Sequence, residues 1–256
     1  MGKIKNNNLI IDFDHTKYDD DLLGGKTIHI NEISLVNDIN NLQENDLKQL
    51  LIDNGIVFAQ YKIPATDLKK RKVLNKLNFY YISTVTELKL EDIQSRTFSF
   101  GENVEIKPFE KGMDESIIMD IALNNFGHGV FYEDHNLQDK AVERFKIILE
   151  KYFEKDDWKF VLLKNRADDK IVSWAIWHWE DENLGLARAE LLGIKFVKIP
   201  RLGTFTANAM FADIKKHGAE KCDLNITITN LPMATIYMRL GLKFKYSTEI
   251  YHYIVT

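Results

Sequence analysis

The stretch from Cys222 to Phe244 constrains the fold more than any other. Cys222, Leu224, Ile226 and Ile228 alternate with Asp223, Asn225, Thr227 and Thr229, the period of two expected of a strand buried on one face. Pro232 suits the first turn of a helix, where its missing N–H would have no partner anyway. Gly241 suits the position just past the end of that helix, and a further strand runs from Phe244 to Val255. A strand, a short capped helix and a strand in immediate succession imply a helix packed on a sheet.

The elements before this stretch extend the same architecture. Val104 to Pro108 reads as a strand and Asp114 to Asn125 as a helix. Leu137 to Phe153 is a stronger helix, with Ala141, Phe145, Ile148, Leu149 and Tyr152 on one face. Three strands follow at Lys159–Lys164, Ile171–Glu180 and Leu186–Val197, then a helix from Thr204 to His217 closed by Gly218. The order from residue 104 is β-α-α-β-β-β-α-β-α-β, a mixed sheet with helices on it. Nearer the N-terminus, Leu42–Asn54 and Lys69–Leu77 read as helices, and Ile56–Tyr61 and Phe79–Leu88 as strands. The polar run Ser95–Asn103 is the expected linker, giving domains at 1–102 and 103–256. No internal repeat stands out at a fixed period.

Composition excludes several function classes. With 256 residues, 45% hydrophobic and 28% charged, the chain can fill two cores and does not read as disordered. Lys and Arg number 34 against 38 Asp and Glu, a net charge of −4, so no global basic field points to nucleic acid or an anionic membrane. The run Lys69–Lys70–Arg71–Lys72 has acids nearby and reads as a solvated face. Cys222 is the single cysteine, which excludes an internal disulfide and a Cys-based zinc site; no metal is expected. There is no apolar run of about 18 residues, and the start at Met1 lacks the apolar stretch of a secretory signal. The expectation is a cytoplasmic protein without a membrane partner. Tyr251 and Tyr253 permit homodimer contacts if exposed.

Asn230, Tyr237 and Gly241 hold a spacing that resembles the last helix of the GNAT superfamily of N-acetyltransferases, N-x-x-A-x-x-x-Y-x-x-x-G-F. Ala234 stands one place late, and Leu242 replaces the Phe, with Phe244 two places on. The resemblance implies a mixed, mostly antiparallel α/β sheet flanked by helices, with a smaller N-terminal α/β domain. It also implies acetyl-CoA as co-substrate and direct attack of an amine on the thioester. Such attack needs no enzyme nucleophile, only positioning and proton transfer. Tyr237 falls where the family places its general acid, and a phenol with a reference pKa near ~10 can protonate a departing thiolate. The same residue also fits a packing role. Asn230 either bonds cofactor amides or caps the helix.

Three further segments carry expectations from the resemblance. Lys198-Ile-Pro-Arg201-Leu202-Gly203-Thr204-Phe-Thr206 stands where the family cradles the pyrophosphate with Q/R-x-x-G-x-G/A and a helix N-terminus. Lys198 takes the leading basic position, Arg201 the first glycine position and Gly203 the second. The strand containing Glu190, Leu192, Gly193 and Ile194 matches the bulged strand that pairs with the pantetheine arm. Gly193 there allows close backbone approach, and Glu190 is a candidate base or a salt-bridged acid. Asn125 to Asp134 resembles the acceptor segment of nucleotide-sugar N-acetyltransferases, making His128, Phe131, Tyr132 and Asp134 candidates for acceptor contact. His178 reads as a satisfied strand histidine.

The whole chain resembles the two-domain TDP-fucosamine acetyltransferase type, which acetylates the 4-amino group of a dTDP-linked 4-amino-4,6-dideoxygalactose for surface polysaccharide. Tyr18–Lys26, Asp53–Ile56 and Val73–Phe79, with Asn78 in place of the usual Gly, carry that likeness. The implied function is acetylation of a nucleotide-activated amino sugar. The alternatives are another small amine or a protein amine as acceptor, or a non-catalytic acyl-CoA-binding module.

Overall fold

A computed structural model describes residues 1–255 apart from Asn40, Asn41, Phe126 and Phe196, and only the backbone of Glu44. The chain divides into two units. The first takes Met1–Val85, Gly129–Arg144 and Ser247–Thr256; the second takes Thr86–His128 and Phe145–Tyr246. The expected break after residue 102 is therefore corrected. The polar run at 95–103 is a tethered loop of the second unit: Asn208 donates to the Ser99 carbonyl at 2.6 Å, and Arg96 to the Leu240 carbonyl at 3.0 Å.

The first unit begins with β1 (Gly2–Lys5), β2 (Leu9–His15), α1 (Lys17–Leu23) and β3 (Lys26–Leu35). It continues with α2 (Glu44–Asp53), β4 (Ile56–Pro64), α3 (Leu68–Lys76) and β5 (Tyr80–Leu90), which runs on into the second unit. Later in the chain it regains α5 (Val130–Glu133) and most of β11 (Lys243–Ile254). Its strand order is β1-β2-β3-β4-β11-β5. Ile28, Ile30, Ala59, Tyr61 and Ile63 share one core with Leu47, Leu50 and Leu51 of α2 and Leu74 of α3. Tyr251 and Tyr253 are buried in that core too, so they offer no dimer surface.

The second unit contains β6 (Val104–Pro108), α4 (Glu115–Asn125), most of α6 (Ala141–Phe153), β7 (Lys159–Asn165), β8 (Ile171–Asp181) and β9 (Leu186–Ile194). After these come α7 (Leu202–Lys216), β10 (Lys221–Thr227) and α8 (Leu231–Arg239). Its order is β5-β10-β9-β8-β7-β6. The fold is a mixed, mostly antiparallel α/β sheet flanked by helices. The alternation is realised at Cys222, Leu224 and Ile226, all in the core, whereas Ile228 lies past the end of β10 and is exposed.

Both units follow one plan. In the first, the antiparallel strands β2 and β3 lead through α2 to β4, parallel to β3, and then to α3 and β5. In the second, β8, β9, α7, β10, α8 and β11 do the same, with β10 parallel to β9. The match extends to single hydrogen bonds. Asp67 accepts from the Lys70 amide at 3.0 Å and Asn230 from the Met233 amide at 3.3 Å, each capping its short helix. Asn78 and Gly241 take left-handed backbone, φ 57° and 81°, and the next amides, of Phe79 and Leu242, return to the Leu74 and Tyr237 carbonyls at 3.0 and 3.1 Å. Sequence periodicity missed this repeat because backbone conformation is shared and side chains are not.

Candidate active site

The parallel pairing of β9 with β10 runs from Leu186–Lys221 to Ala189–Leu224 and stops there. β9 continues to Ile194, paired on its other side with β8, where Gly193 lies opposite Trp174 and Ile194 opposite Ser173. The backbone edge of Glu190–Ile194 that faced β10 is thus released. An edge of unpaired N–H and C=O groups is a ready template for an added extended chain. Leu192 and Ile194 are half-buried along this edge. Gly193 makes its close approach to protein: a Cβ there would meet the Trp174 indole at 2.3 Å. Among the described residues, nothing partners the buried Trp174 Nε1–H.

α7 starts just beyond. Arg201 has a left-handed backbone, φ 64°, which costs a non-glycine residue roughly 1–2 kcal/mol and explains why glycine suits this position. Gly203 has no space for a side chain, since a Cβ would meet Ile236 Cδ1 at 2.9 Å and Ile194 Cδ1 at 3.1 Å. The end of β9, the start of α7 and α8 therefore converge at this residue. Among the described residues, no acceptor meets the amides of Gly203 and Thr204, as at any helix start that faces solvent or ligand. Lys198 and Arg201 are exposed and Leu202 is buried. Thr206 is corrected to a core residue: its hydroxyl lies 2.7 Å from Ser173 Oγ and 2.8 Å from the Leu202 carbonyl, so it is committed away from any ligand.

Tyr237 departs from the expected open setting. Its side chain is 7% exposed and belongs to the same core as Ala189 and Leu224, where the parallel pairing ends. Phe211 meets it edge-on at 6.5 Å. Burial pushes the phenol pKa up, so its proton is retained throughout the neutral range. A cavity of about 540 Å³ lined by Lys107, Asp114, Asp120, Lys164 and Lys195, and one of about 160 Å³ lined by His29, Gln60 and Arg144, both leave Tyr237 outside their walls. Asn230 resolves to the helix-capping role.

Glu190 marks a bulge. Ile176 pairs with Leu191 and Trp177 with Ala189, leaving Glu190 as the extra residue. Its Oε1 lies 2.9 Å from His178 Nε2 and 3.6 Å from Arg188 Nε. The other ring nitrogen of His178 lies 2.8 Å from the Trp179 carbonyl. Both partners are acceptors, so both ring nitrogens carry protons and His178 is an imidazolium. Burial alone would lower its pKa, but the Glu190 and Trp179 hydrogen bonds outweigh that and hold it above the usual histidine range. Trp158 stacks on His178 at 4.5 Å. Beside this pair, Arg188 reaches Glu180 and Glu87, and Lys245 bridges Glu87 and Asp223. Sequence reading missed Glu87, Asp223 and Lys245. Asp223 was visible on the polar side of its strand, but its partner comes from β11.

The acceptor candidates at 128–134 are divided between the two units. Phe126 lies outside the described residues. His128 is exposed in the second unit, whereas Phe131, Tyr132 and Asp134 belong to the first. Phe131 is 3% exposed and packs with Phe58, Leu137 and Ala141; the Tyr132 hydroxyl is buried with no partner among the described residues. Asp134 is fully buried and accepts from His252 Nδ1 at 2.6 Å, the Asn136 amide at 2.9 Å and Tyr80 at 3.1 Å. Phe131 and Asp134 are thus corrected to structural roles. A short polar-aromatic loop reads alike whether it faces ligand or core.

Solved structures share this fold. The chain superposes on a GCN5-related N-acetyltransferase from Sphaerobacter thermophilus with TM-score 0.63, at 11% identity, over 97% of this chain and 77% of that one. A tandem GNAT protein from the clavulanic acid biosynthesis pathway matches with TM-score 0.63 at 10% identity, over 97% and 79%. The fold is that of the GCN5-related N-acetyltransferases. A Staphylococcus epidermidis protein described as functionally unknown also matches, with TM-score 0.61 at 12% identity, over 98% and 93%. No protein-family model matches the sequence, and no curated protein does. Among the described residues, no three His, Cys, Asp or Glu side chains group to hold a metal, and no helix is long and apolar enough to cross a membrane.

Proposed function

We propose that the second unit transfers an acetyl group from acetyl-CoA to a small primary amine. The observation that carries this reading is the end of β9–β10 pairing at Ala189–Leu224 while β9 runs on to Ile194. The Glu190–Ile194 edge suits the amides of a pantetheine arm laid along it as an extra strand. The Gly203 and Thr204 amides, at the positive end of α7, suit a pyrophosphate, with Lys198 and Arg201 nearby in the chain.

The residues then divide the proton work. The amine nitrogen bonds to the thioester carbonyl carbon and the C–S bond breaks. Glu190 accepts the amine's proton, directly or through water, and for the buried Tyr237 phenol to donate its own to the departing sulfur the core packing around it must open where β9 and β10 part. Around the bulge, Glu87, Glu180, Glu190 and Asp223 face Arg188, Lys245, the His178 imidazolium and Lys155, a balanced set that offers no surplus positive charge to the diphosphate of a dTDP-linked amino sugar. The burial of Phe131 and Asp134 removes two residues that had implied the nucleotide sugar.

Thiol release from acetyl-CoA, measured across a panel of simple primary amines and dTDP-amino sugars, tests this together with calorimetry. Saturable cofactor binding with turnover of a simple amine is expected. Turnover of the nucleotide sugars alone would overturn the acceptor, and no binding at about 1 mM cofactor, the weakest range that matters here, would favour a non-catalytic module.

A further inference from the structure

The bulged strand occurs in both units, and only one of its two versions can hold a proton at the bulge. In the first unit Asp12 pairs with Glu32 and Phe13 with Ile30, which leaves Asn31 as the extra residue. Its side-chain amide donates to Asp14 at 2.9 Å, and an amide does not titrate. At the matching place in the second unit Glu190 meets His178 at 2.9 Å, and both groups titrate.

The Trp179 carbonyl fixes where the proton sits. A carbonyl oxygen only accepts, so at 2.8 Å it keeps a hydrogen on Nδ1 in both charge states of the ring. Loss of a proton from His178 therefore empties Nε2, whose lone pair then faces Glu190 Oε1 across 2.9 Å. Two acceptors at that distance draw a proton in between them. Trp158, stacked on the ring at 4.5 Å and 14°, also favours the cation. Burial opposes it, as does Lys155 from the turn after α6, and the Glu190 and Trp179 hydrogen bonds outweigh both. On the carboxylate side, Arg188 Nε lies 3.6 Å from Oε1 and is itself drawn to Glu180 and Glu87. Helix α4 packs on both strands and carries two carboxylates, Glu115 and Asp120. Asp120 lines a cavity together with Ile171, at the other end of β8.

Resting on the acetyltransferase reading, we propose that Glu190 and His178 form one proton acceptor, with a single vacancy between Oε1 and Nε2 that is open only while His178 is neutral. As the amine nitrogen bonds to the thioester carbon, its proton passes to Oε1 and is held at that contact, from which it later leaves to water. A lone carboxylate, with a reference pKa near ~4.3, is a weak base at neutral pH. The pair takes up its proton in the range of histidine, nearer the working pH, where a general base is most effective. His178 acts through Glu190 and needs no contact with the amine.

Two measurements on the full chain test this. Imidazole NMR follows the rings from about pH 5 to about pH 10, with the His178 signal assigned by its loss in His178→Gln. Thiol release from acetyl-CoA with a simple amine is measured over the same range, per unprotonated amine. His178 is expected to titrate above ~6.5 and to keep its Nδ1 hydrogen when neutral, with kcat/KM rising at the same midpoint. Glu190→Gln should lower that midpoint in the ring titration. His178→Gln should lose the step in the rate profile and fall about tenfold in kcat/KM above it, with acetyl-CoA affinity unchanged. A ring that titrates at or below ~6.5, a neutral ring protonated on Nε2, or a His178→Gln profile that keeps the wild-type step would overturn the proposal. A wild type that turns over no amine sinks the acetyltransferase reading instead, and the ring titration alone then decides whether the pair shares a proton.

Discussion

Helix α3 of the first unit and helix α8 of the second are built alike and equipped differently. Each is capped by a side-chain oxygen, at Asp67 and Asn230, and each is closed by a left-handed residue, at Asn78 and Gly241. Seven places after the cap stands Leu74 in one and Tyr237 in the other. In both units the first strand of the parallel pair runs on past its last partner, at Ile30–Tyr61 and at Ala189–Leu224, but only β9 carries a bulged acid there, Glu190, held by His178. A repeated backbone thus carries an aliphatic side chain at this place in one unit and a phenol in the other, which is why fold alone never identifies chemistry.

The comparison can be broken most forcefully at Asp134. Asp134→Ala strands His252, Tyr80 and the Asn136 amide in the first unit, and denaturant unfolding should show a loss of about 3–5 kcal/mol. A loss below about 1 kcal/mol would mean that the buried network is not what holds this unit.

Next come the two matched helix positions. Leu74→Ala should cost about 2–5 kcal/mol of stability, as a buried leucine does, and leave turnover per folded molecule unchanged. Tyr237→Phe should do the reverse, lowering turnover at least about tenfold with acetyl-CoA affinity nearly intact by calorimetry. Equal turnover of Tyr237→Phe and wild type would remove the phenol from the reaction.

His178 sharpens the electrostatic contrast. Its folded pKa is raised, so its ion pair with Glu190 contributes fully below the ordinary value near ~6.5. That contribution fades as pH rises through the higher folded value. The stability gap between wild type and His178→Gln should therefore narrow from mildly acidic to alkaline pH in parallel melts; a gap that widens would contradict the imidazolium assignment.

The smallest effect is expected at Asn78. Asn78→Gly should change stability by less than about 1 kcal/mol, because relief of the left-handed strain is offset by glycine's greater unfolded-state freedom. A loss well beyond that would show that the Asn78 side chain has a role Gly241 lacks.

The sequence showed most of the second unit, because its signals are local. Alternation placed β10, Pro232 and Gly241 bounded α8, and the Asn230–Tyr237–Gly241 spacing carried the family likeness. The first 35 residues were not resolved into β1, β2, α1 and β3. The domain boundary failed because residues 129–144 and 247–256 return to the first unit, a long-range choice without a local signature. The site divided in the same way. Glu190 was legible as an acid on the bulged strand, whereas its hold on His178 depends on cross-strand register. Phe131 and Asp134 looked like acceptor contacts because aromatic and carboxylate side chains give no sign, in sequence, of which way they face.

Amide hydrogen exchange with and without acetyl-CoA tests most directly whether the cofactor belongs to the second unit. The expected result is added protection at Glu190–Ile194 and at Gly203 and Thr204, with none at residues 31–35, the matching stretch of β3. Protection at 31–35 in their place, or no change anywhere at saturating cofactor, would contradict it.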